Sequence, residues 1–272
     1  MTRSSDHQVV LLTGASSGLG QVTAALLAER GYRVFGTSRR PAGDGPAGVE
    51  MLALDVRDDR SVADAVDRVL SRAARLDVLI NNAGYLLTGA VEETSIDEAQ
   101  AQFETNFFGA VRMVGAVLPA MRSQRGGRIV TIGSLAGLLG VPFEGFYSAS
   151  KHALEGYSAS LRYEVRPFNI HVSVIEPGFF RSQLGGAKRT PARTVPDYDT
   201  ARASAAASFD AAIVHGPDPA RIAATVAAVI AAPAPRLHYR VGRDATTVPR
   251  MMALLPQAVF EWGLRRRFRL DR

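Results

Sequence analysis

The chain has 272 residues, 47% of them hydrophobic and 21% charged, which is enough apolar material for the core of one large domain. It contains no cysteine, and this excludes disulfide bonds and thiolate zinc sites. Half of its net charge of +6 lies in residues 261–272, so a nucleic-acid-binding surface spread over the fold is not expected.

Apolar runs of strand length alternate with helical segments along most of the chain. Strands are predicted at residues 9–13, 33–37, 50–54, 77–81, 128–133, 170–175 and 237–241, and helices at 20–30, 61–75, 96–122, 146–165 and 221–231. The strand runs are nearly continuous, which is typical of parallel strands covered by helices on both faces. This pattern predicts an α/β protein with a single-domain Rossmann-type fold, a doubly wound parallel sheet with helices on both faces.

The pattern changes after the sixth strand. Residues 179–219 are rich in glycine, proline, alanine and serine, which predicts a substrate lid, with a disordered insertion as the alternative. The domain is expected to span residues 1–245, followed by a C-terminal extension at 246–272. Its arginine-rich tail could touch acidic lipid, although a solvated terminus is favoured. Without a signal peptide or a membrane-spanning run, we expect a cytoplasmic protein.

A glycine-rich loop joins the first strand to the first helix. Glycines let the backbone turn tightly and approach a pyrophosphate at the amino end of a helix. After a buried strand and before a helix, this spacing predicts a dinucleotide-binding loop. Its residues are Gly14, Ser16, Ser17, Gly18, Leu19 and Gly20.

The end of the second strand predicts the choice of cofactor. Sites specific for NAD place an acid there to hold the adenosine ribose, whereas this chain has Ser38 followed by Arg39 and Arg40. A guanidinium can bind a 2′-phosphate through two charge-assisted hydrogen bonds. We therefore expect NADP(H) to be preferred over NAD(H), with Arg39 facing the 2′-phosphate.

The next two strand ends offer further contacts to the cofactor. The carboxylate of Asp55, beside Val56, can meet the adenine amino group. The small residues Asn82, Ala83 and Gly84 would let the cofactor ribose lie against the backbone.

Tyr147 and Lys151 are one helical turn apart, so they share a helix face. An ammonium about 5 Å from a phenol lowers its pKa by about two units, which would suit Tyr147 to general acid/base work. By itself this pair is most often a solvated helix face, so its weight depends on the residues around it.

These landmarks together resemble the short-chain dehydrogenase/reductases over residues 8–182. The matching motifs are Thr13-Gly14-x-x-x-Gly18-x-Gly20, Asn81-Asn82-Ala83-Gly84, Asn106, Ser134, Tyr147-x-x-x-Lys151 and Pro177-Gly178. The resemblance implies that Tyr147 is the general acid/base, that Ser134 orients the reacting oxygen and that Lys151 tunes Tyr147 and binds the nicotinamide ribose. It also implies that Asn106 holds a water for proton exchange.

The same resemblance implies contacts around the rest of the cofactor. Pro177 and Gly178 would pass beside the nicotinamide, and the Ser182 hydroxyl would lie near its carboxamide. Asp55 and Val56 would flank the adenine. The implied reaction is hydride transfer that interconverts a carbonyl and a secondary alcohol.

Aromatic residues near the predicted crevice indicate a hydrophobic small-molecule substrate. They are Phe143, Phe146, Phe179 and Phe180. The Gly178-Phe179-Phe180-Arg181-Ser182 run and the basic Arg265–Arg267 terminus look like those of bacterial relatives of the hydroxysteroid and retinol dehydrogenases.

Two other functions stay open. One is a non-catalytic NADP-binding sensor, and the other is an epimerase or dehydratase of the extended relatives, which carry a larger C-terminal substrate domain. The five histidines form no metal-ligand pattern, so no metal site is expected. The resemblance also implies a homodimer or homotetramer, built partly on the helices at 96–122 and 146–165.

Overall fold

The structure is a computed structural model that describes residues 8–40, 45–181 and 188–271. Its strands are β1 (Val9–Leu12), β2 (Arg33–Ser38), β3 (Val49–Ala53), β4 (Val78–Asn81), β5 (Leu86–Leu87), β6 (Gly127–Ile132), β7 (Ile170–Pro177), β8 (Lys188–Arg189) and β9 (His238–Val241). Within this part of the chain, seven strands form one sheet in the order β3-β2-β1-β4-β6-β7-β9, and β5 pairs separately with β8. Every pairing is parallel.

Helices cover both faces of the large sheet. They are α1 (Gly18–Glu29), α2 (Asp59–Ala73), α3 (Ile96–Phe103), α4 (Gly109–Ser123), α5 (Gly145–Val165), α6 (Asp199–Val214), α7 (Ala220–Ala231), α8 (Arg243–Leu254) and α9 (Gln257–Phe268). In β1, Val9 and Leu11 pack into a core with α2, α4 and α5, while Val10 and Leu12 pack into a second core with α1 and α7. Successive strand residues point to opposite faces of the sheet. Because helices cover both faces, the strand residues on both faces must be apolar. The predicted single-domain doubly wound fold is confirmed.

Two segments differ from the sequence prediction. The helix expected over 96–122 is two helices, α3 and α4, joined by a π-helical turn at Glu104–Phe108. The alanine- and serine-rich stretch within 179–219, for which a disordered insertion was the alternative, lies in α6. Alanine favours the helix intrinsically, so α6 forms without the apolar stripe that periodicity detects.

The C-terminal extension consists mainly of α8 and α9. Residue 246 lies inside α8, so a boundary between 245 and 246 crosses a helix, and the proposed division of the chain stays a prediction. Phe268, near the end of α9, is buried in a cluster with Leu135, Ala136, Leu139, Val141 and Ala205. Among the described residues, no helix combines the length and apolar character that crossing a membrane requires.

The strand order places a crevice above β1. From β1 the chain builds β2 and β3 on one side, and then returns to build β4, β6, β7 and β9 on the other. At such a switch point the loops after neighbouring strands separate, and ligands bind at the carboxyl ends of the strands.

Candidate active site

A cavity of about 540 Å³ opens at the carboxyl ends of the strands. The predicted cofactor residues that line it are Gly14, Ser16, Ser17, Gly18, Leu19, Gly20, Arg39, Asp55, Val56, Asn82, Ala83, Gly84, Pro177 and Gly178. All four predicted catalytic residues, Asn106, Ser134, Tyr147 and Lys151, line it too. Ser182 lies outside the described residues. The structure thus brings the predicted set to one cavity, and the individual roles stay predictions.

The glycine loop has the shape of a phosphate cradle. Gly14 and Gly18 have φ values of +71° and +55°, which glycine adopts without strain. A Cβ at Gly20 would fall 2.0 Å from the carbonyl oxygen of Gly14. Helix α1 begins here with no side-chain cap and no acid in its first turn. Its first N–H groups and positive dipole end are therefore suited to an anion.

Thr13 and Asn82 join this loop to the end of β4. The amide nitrogen of Asn82 donates to the carbonyl oxygens of Thr13 and Gly14, both at 3.0 Å. The Thr13 hydroxyl oxygen accepts from the backbone N–H groups of Asn82 and Ala83, also at 3.0 Å. The sequence motif contains Thr13 but gives it no role, and the structure identifies it as the residue that links the two loops.

Arginine residues dominate the end of the cavity formed by β2 and β3. The Asp55 carboxylate pairs with Arg57 at 2.7 Å, and this hydrogen-bonded guanidinium lowers the pKa of Asp55. Arg57 also lines the cavity, although the sequence analysis did not single it out. The charge of Arg57 is balanced by Asp55. The net positive charge at this end of the cavity therefore comes from the exposed Arg39.

Tyr147 and Ser134 lie together at the other end. Ser134 follows β6, and its hydroxyl accepts from the Ala136 N–H at 3.1 Å and is hydrogen-bonded to Tyr147. Burial raises the pKa of Tyr147 to about 12, an effect that the Ser134 hydrogen bond opposes and the nearby Glu144 strengthens. The phenol is therefore protonated at neutral pH, the form that donates a proton.

The pKa of Tyr147 is raised rather than lowered, contrary to the expectation from its helix spacing to Lys151. The Lys151 ammonium donates to the Ile132 carbonyl oxygen at 2.7 Å and lies 5.7 Å from the centre of the Tyr147 ring. Burial lowers the pKa of Lys151 to about 8, against the effect of Glu155. Desolvation of both groups penalises their charged forms, an effect that helix spacing alone does not reveal.

The side chain of Asn106, in the π-helical turn, bonds to the loop after β4 and to α5. Its amide oxygen accepts from the Tyr85 N–H at 3.0 Å, and its amide nitrogen donates to the Tyr85 carbonyl at 3.0 Å and the Ser150 hydroxyl at 3.3 Å. Ser150 is one residue before Lys151 on α5. The side chain of Asn106 therefore ties the loop after β4 to the helix that carries Lys151.

Glu144 is a cavity residue that the sequence analysis missed. It directly precedes α5, is only 4% exposed, and its side chain makes no hydrogen bond to another described residue. Burial raises its pKa to about 8, opposed by the charge of Lys188, whose ammonium pairs with Asp210 at 2.9 Å. The cavity thus contains a buried carboxyl group near Tyr147 that a polar ligand atom could satisfy.

The Pro177-Gly178 loop is held from the C-terminal part of the chain. The N–H of Gly178 donates to the Val241 carbonyl at 2.9 Å, and that of Phe179 donates to the Asp244 carboxylate at 2.6 Å. A Cβ at Gly178 would fall 2.1 Å from the carboxylate, so only glycine fits. Asp244 had no motif to mark it, because it acts on the loop from 65 residues away.

The predicted aromatic wall is half present. Phe179 and Phe180 line the cavity, together with Phe209 and Ile213 of α6. Phe143 and Phe146 do not. The Phe143 ring packs edge-on against Tyr198, and Phe146 is one residue from Tyr147 on α5, so it points about 100° away from it. The pocket role predicted for these two residues is not supported.

Glu155, Glu176 and His238 cluster behind Lys151. Their ligand-type atoms lie within 4.8 Å of one another, a grouping that their distance in sequence hides. The imidazole of His238 contacts Glu176 at 2.6 Å and Arg240 donates to the same carboxylate at 3.1 Å. Burial and the charge of Glu176 raise the pKa of Glu155 to about 8.

Comparison with known proteins agrees with this geometry. A family model described as short chain dehydrogenase matches residues 8–192. A 3-ketodihydrosphingosine reductase of Bacteroides thetaiotaomicron is 39% identical over 266 residues, which cover 95% of this chain and 97% of that protein. Human 17-beta-hydroxysteroid dehydrogenase type 1 is 39% identical over 206 residues, covering 68% of this chain and 62% of that protein.

Solved structures give the same result. A short-chain dehydrogenase from Streptomyces avermitilis superposes with a TM-score of 0.82 at 34% identity, covering 95% of this chain and 97% of the other. Two Burkholderia structures at 25% identity were determined with different cofactors. The one from B. phymatum, in complex with NAD, has a TM-score of 0.77 and coverage of 92% of each chain. The one from B. cenocepacia, with NADP, has a TM-score of 0.76 and coverage of 95% and 98%. The chain belongs to the short-chain dehydrogenase/reductase family and is an oxidoreductase acting on CH–OH or carbonyl groups.

Proposed function

We propose that the protein is an NADP(H)-dependent reductase of a hydrophobic ketone, with Tyr147 as general acid in reduction and general base in alcohol oxidation. The observation that carries this proposal is the position of the buried Tyr147 phenol beside Ser134, in a cavity whose other end is the glycine-rich loop. The uncapped start of α1, free of acids, fits a pyrophosphate. A bound nicotinamide cofactor would supply the hydride.

The residues of this chain would supply the proton and the alignment. Ser134 and Tyr147 would hydrogen-bond the substrate oxygen, and the proton would pass from the phenol to that oxygen as the alcohol forms. Lys151 would bind the nicotinamide ribose, and Pro177 and Gly178 would pass beside the ring. Tyr85 engages both amide atoms of Asn106, so a water for proton exchange would bind the second lone pair of the amide oxygen or the backbone of the π-helical turn.

NADP(H) is the proposed cofactor because of the charge around its adenosine end. Arg39 lines the cavity, and Asp55, the acid near it, is paired with Arg57. A 2′-phosphate would gain a guanidinium partner there, whereas a ribose hydroxyl would find no free carboxylate among the described residues that line this end of the cavity.

The substrate class that we propose is a long-chain ketone with an amino group near the carbonyl. Phe179, Phe180, Phe209 and Ile213 offer an apolar wall for a chain, and Glu144 offers a carboxyl group near Tyr147. The Bacteroides relative takes its name from 3-ketodihydrosphingosine, a ketone that has both the long chain and the amino group.

A substrate screen that follows the oxidation of NADPH tests these proposals. It compares 3-ketodihydrosphingosine, a ketone of equal chain length without the amino group, and a small polar keto sugar. We expect turnover to fall in that order. Turnover of the sugar alone would contradict the hydrophobic pocket. If the phenol is the acid, turnover in the Tyr147→Phe variant must fall by about 10²–10⁴-fold.

We also propose a homodimer or homotetramer that uses the long helices around the π-helical turn and α5. Phe108 in that turn and Tyr163 on α5 are exposed apolar side chains, 45% and 77% accessible, which a partner subunit would cover. Sedimentation equilibrium of the wild type and a Tyr163→Glu variant tests this, since the variant should shift toward monomer.

A further inference from the structure

We propose that the C-terminal hairpin, formed by α8 and α9 (residues 243–268), docks the enzyme on an anionic lipid surface. The proposal concerns a surface outside the cavity and does not depend on the identity of the substrate. It rests on where the exposed apolar side chains lie, on the charge beside them and on how the hairpin is attached.

The tip of the hairpin is apolar and unburied. Every residue from 250 to 259 is exposed, and Leu254 is 83% accessible. Of the eleven large apolar side chains that are exposed in the described chain, six lie between residues 251 and 262: Met251, Met252, Leu254, Leu255, Val259 and Trp262. Scattered apolar residues are normal on a surface, but such a concentration marks an interaction site.

Helix α9 separates its apolar residues into two stripes. Phe260, Leu264 and Phe268, spaced four residues apart, face the protein, and Phe268 is fully buried. This inner stripe packs α9 against the rest of the protein. Val259 and Trp262 are exposed on the opposite side of the helix and take no part in that packing. The outer stripe needs a second apolar environment, such as the boundary between lipid headgroups and acyl chains.

Positive charge lies on α9 beyond the exposed apolar residues. Arg265, Arg266, Arg267 and Arg269 are exposed in the last turn of α9 and just after it, with Arg265 paired to Asp271 at 3.2 Å, and Arg250 is exposed on α8. The Arg266 guanidinium stacks over the Trp262 ring at 5.1 Å. Tryptophan and arginine together suit a membrane interface, where the ring is half immersed and the cation meets phosphate. Two copies of such a basic helix pair would repel each other, which favours an anionic lipid over a second copy.

The hairpin is attached to the substrate end of the cavity. Asp244 in the first turn of α8 holds the Phe179 N–H, and Phe268 of α9 packs into a cluster that also contacts Tyr147 and Phe179. A docked tip would therefore bring that end of the cavity close to the bilayer, where apolar substrates accumulate.

Co-sedimentation of the full chain with vesicles tests the proposal. We expect binding to phosphatidylglycerol vesicles, weak binding to phosphatidylcholine vesicles, and release by high salt. A Leu254→Ser and Trp262→Ser double variant should bind at least tenfold more weakly. A triple variant of Arg265, Arg266 and Arg267 to Gln should lose about fivefold for each arginine.

Matched controls distinguish the hairpin from general surface effects. Val214→Ser with Val91→Ser removes apolar groups of comparable exposure elsewhere. Replacing Arg60, Arg68 and Arg221 by Gln removes an equal positive charge elsewhere. These controls should bind like the wild type, and every variant should keep its NADPH affinity. The proposal is overturned if the wild type stays in solution with phosphatidylglycerol vesicles, or if controls and hairpin variants bind alike. A lower oligomeric mass in the Leu254→Ser and Trp262→Ser variant, with vesicle binding intact, would assign the tip to a second copy instead.

Discussion

The Asp244 carboxylate accepts a hydrogen bond of 2.6 Å from the backbone N–H of Phe179, and so joins the first turn of α8 to the loop after β7. Its other oxygen lies where a Cβ of Gly178 would stand. The loop that we expect beside the nicotinamide is therefore positioned by a residue outside the recognised motifs.

Replacing Asp244 tests this positioning. In Asp244→Ala the Phe179 N–H loses its partner, and we expect kcat to fall about tenfold to a hundredfold because the reacting groups are misplaced. Asp244→Asn keeps an acceptor oxygen and should retain most of the activity. Steady-state kinetics of both variants, with exposed Asp67→Ala as control, measures the difference. Equal losses in the Ala and Asn variants would argue against the hydrogen bond.

Replacing Tyr147 by Phe should abolish the proton transfer and leave the cavity intact. General acid catalysis contributes about 10²–10⁴-fold, so kcat should fall by that factor. NADPH affinity, measured by the quenching of protein fluorescence, should change less than about twofold. Tyr163→Phe, an exposed tyrosine on the same helix, is the control. If Tyr147→Phe keeps its turnover, the phenol is not the acid.

Replacing Arg39 by Ala should weaken NADPH selectively. A charge-assisted hydrogen bond contributes about 1.5–3 kcal/mol, so the Kd for NADPH should rise about 10–100-fold while that for NADH stays nearly constant. Isothermal titration calorimetry with both cofactors measures this, and Arg122→Ala, which removes an exposed arginine from α4, is the control. Equal weakening of both cofactors would show that Arg39 does not recognise the 2′-phosphate.

The buried Glu144 should make the folded protein less stable as the pH rises. Its folded pKa is raised from the usual 4.5 to about 8, so between these values the folded state binds a proton that the unfolded state has released. Its contribution to stability is then present below about pH 4.5 and is lost as the pH rises through 8.

The Glu144→Gln variant should therefore be more stable than the wild type above pH 8, with Tm higher by about 2–6 °C for a relief of about 1–2 kcal/mol. The advantage should shrink toward pH 5. Thermal melts across this range, with exposed Glu164→Gln for comparison, measure it. A Tm difference that does not depend on pH would contradict the buried titration.

The sequence was sufficient for the architecture and for most of the cavity wall. Continuous apolar runs such as Val9–Leu12 identified the buried parallel strands, because both faces of each strand need apolar side chains. The order of the motifs predicted that Ser134, Tyr147 and Lys151 would meet, because the carboxyl ends of parallel strands share an edge of the sheet. All three line the cavity.

What the sequence could not show depends on tertiary packing. Asp244 and Glu144 gain their importance from neighbours far away in the chain or from burial, and neither leaves a local pattern. The pKa of Tyr147 was predicted in the wrong direction because helix spacing reports the distance to Lys151 but not the loss of solvent around both groups. Helix α6 was missed because alanine forms helices without an amphipathic stripe.

The strand order has a consequence for how the chain can be assembled during synthesis. From β1, each new strand of the large sheet is added at an open edge: β2 and then β3 on one side, and β4, β6, β7 and β9 on the other. No strand has to be inserted between two that are already paired, so the sheet can grow in the order in which the ribosome releases it. The last strand to arrive is followed by Asp244, so a nascent chain has Tyr147, Ser134 and Lys151 before it has the residue that positions the loop beside them.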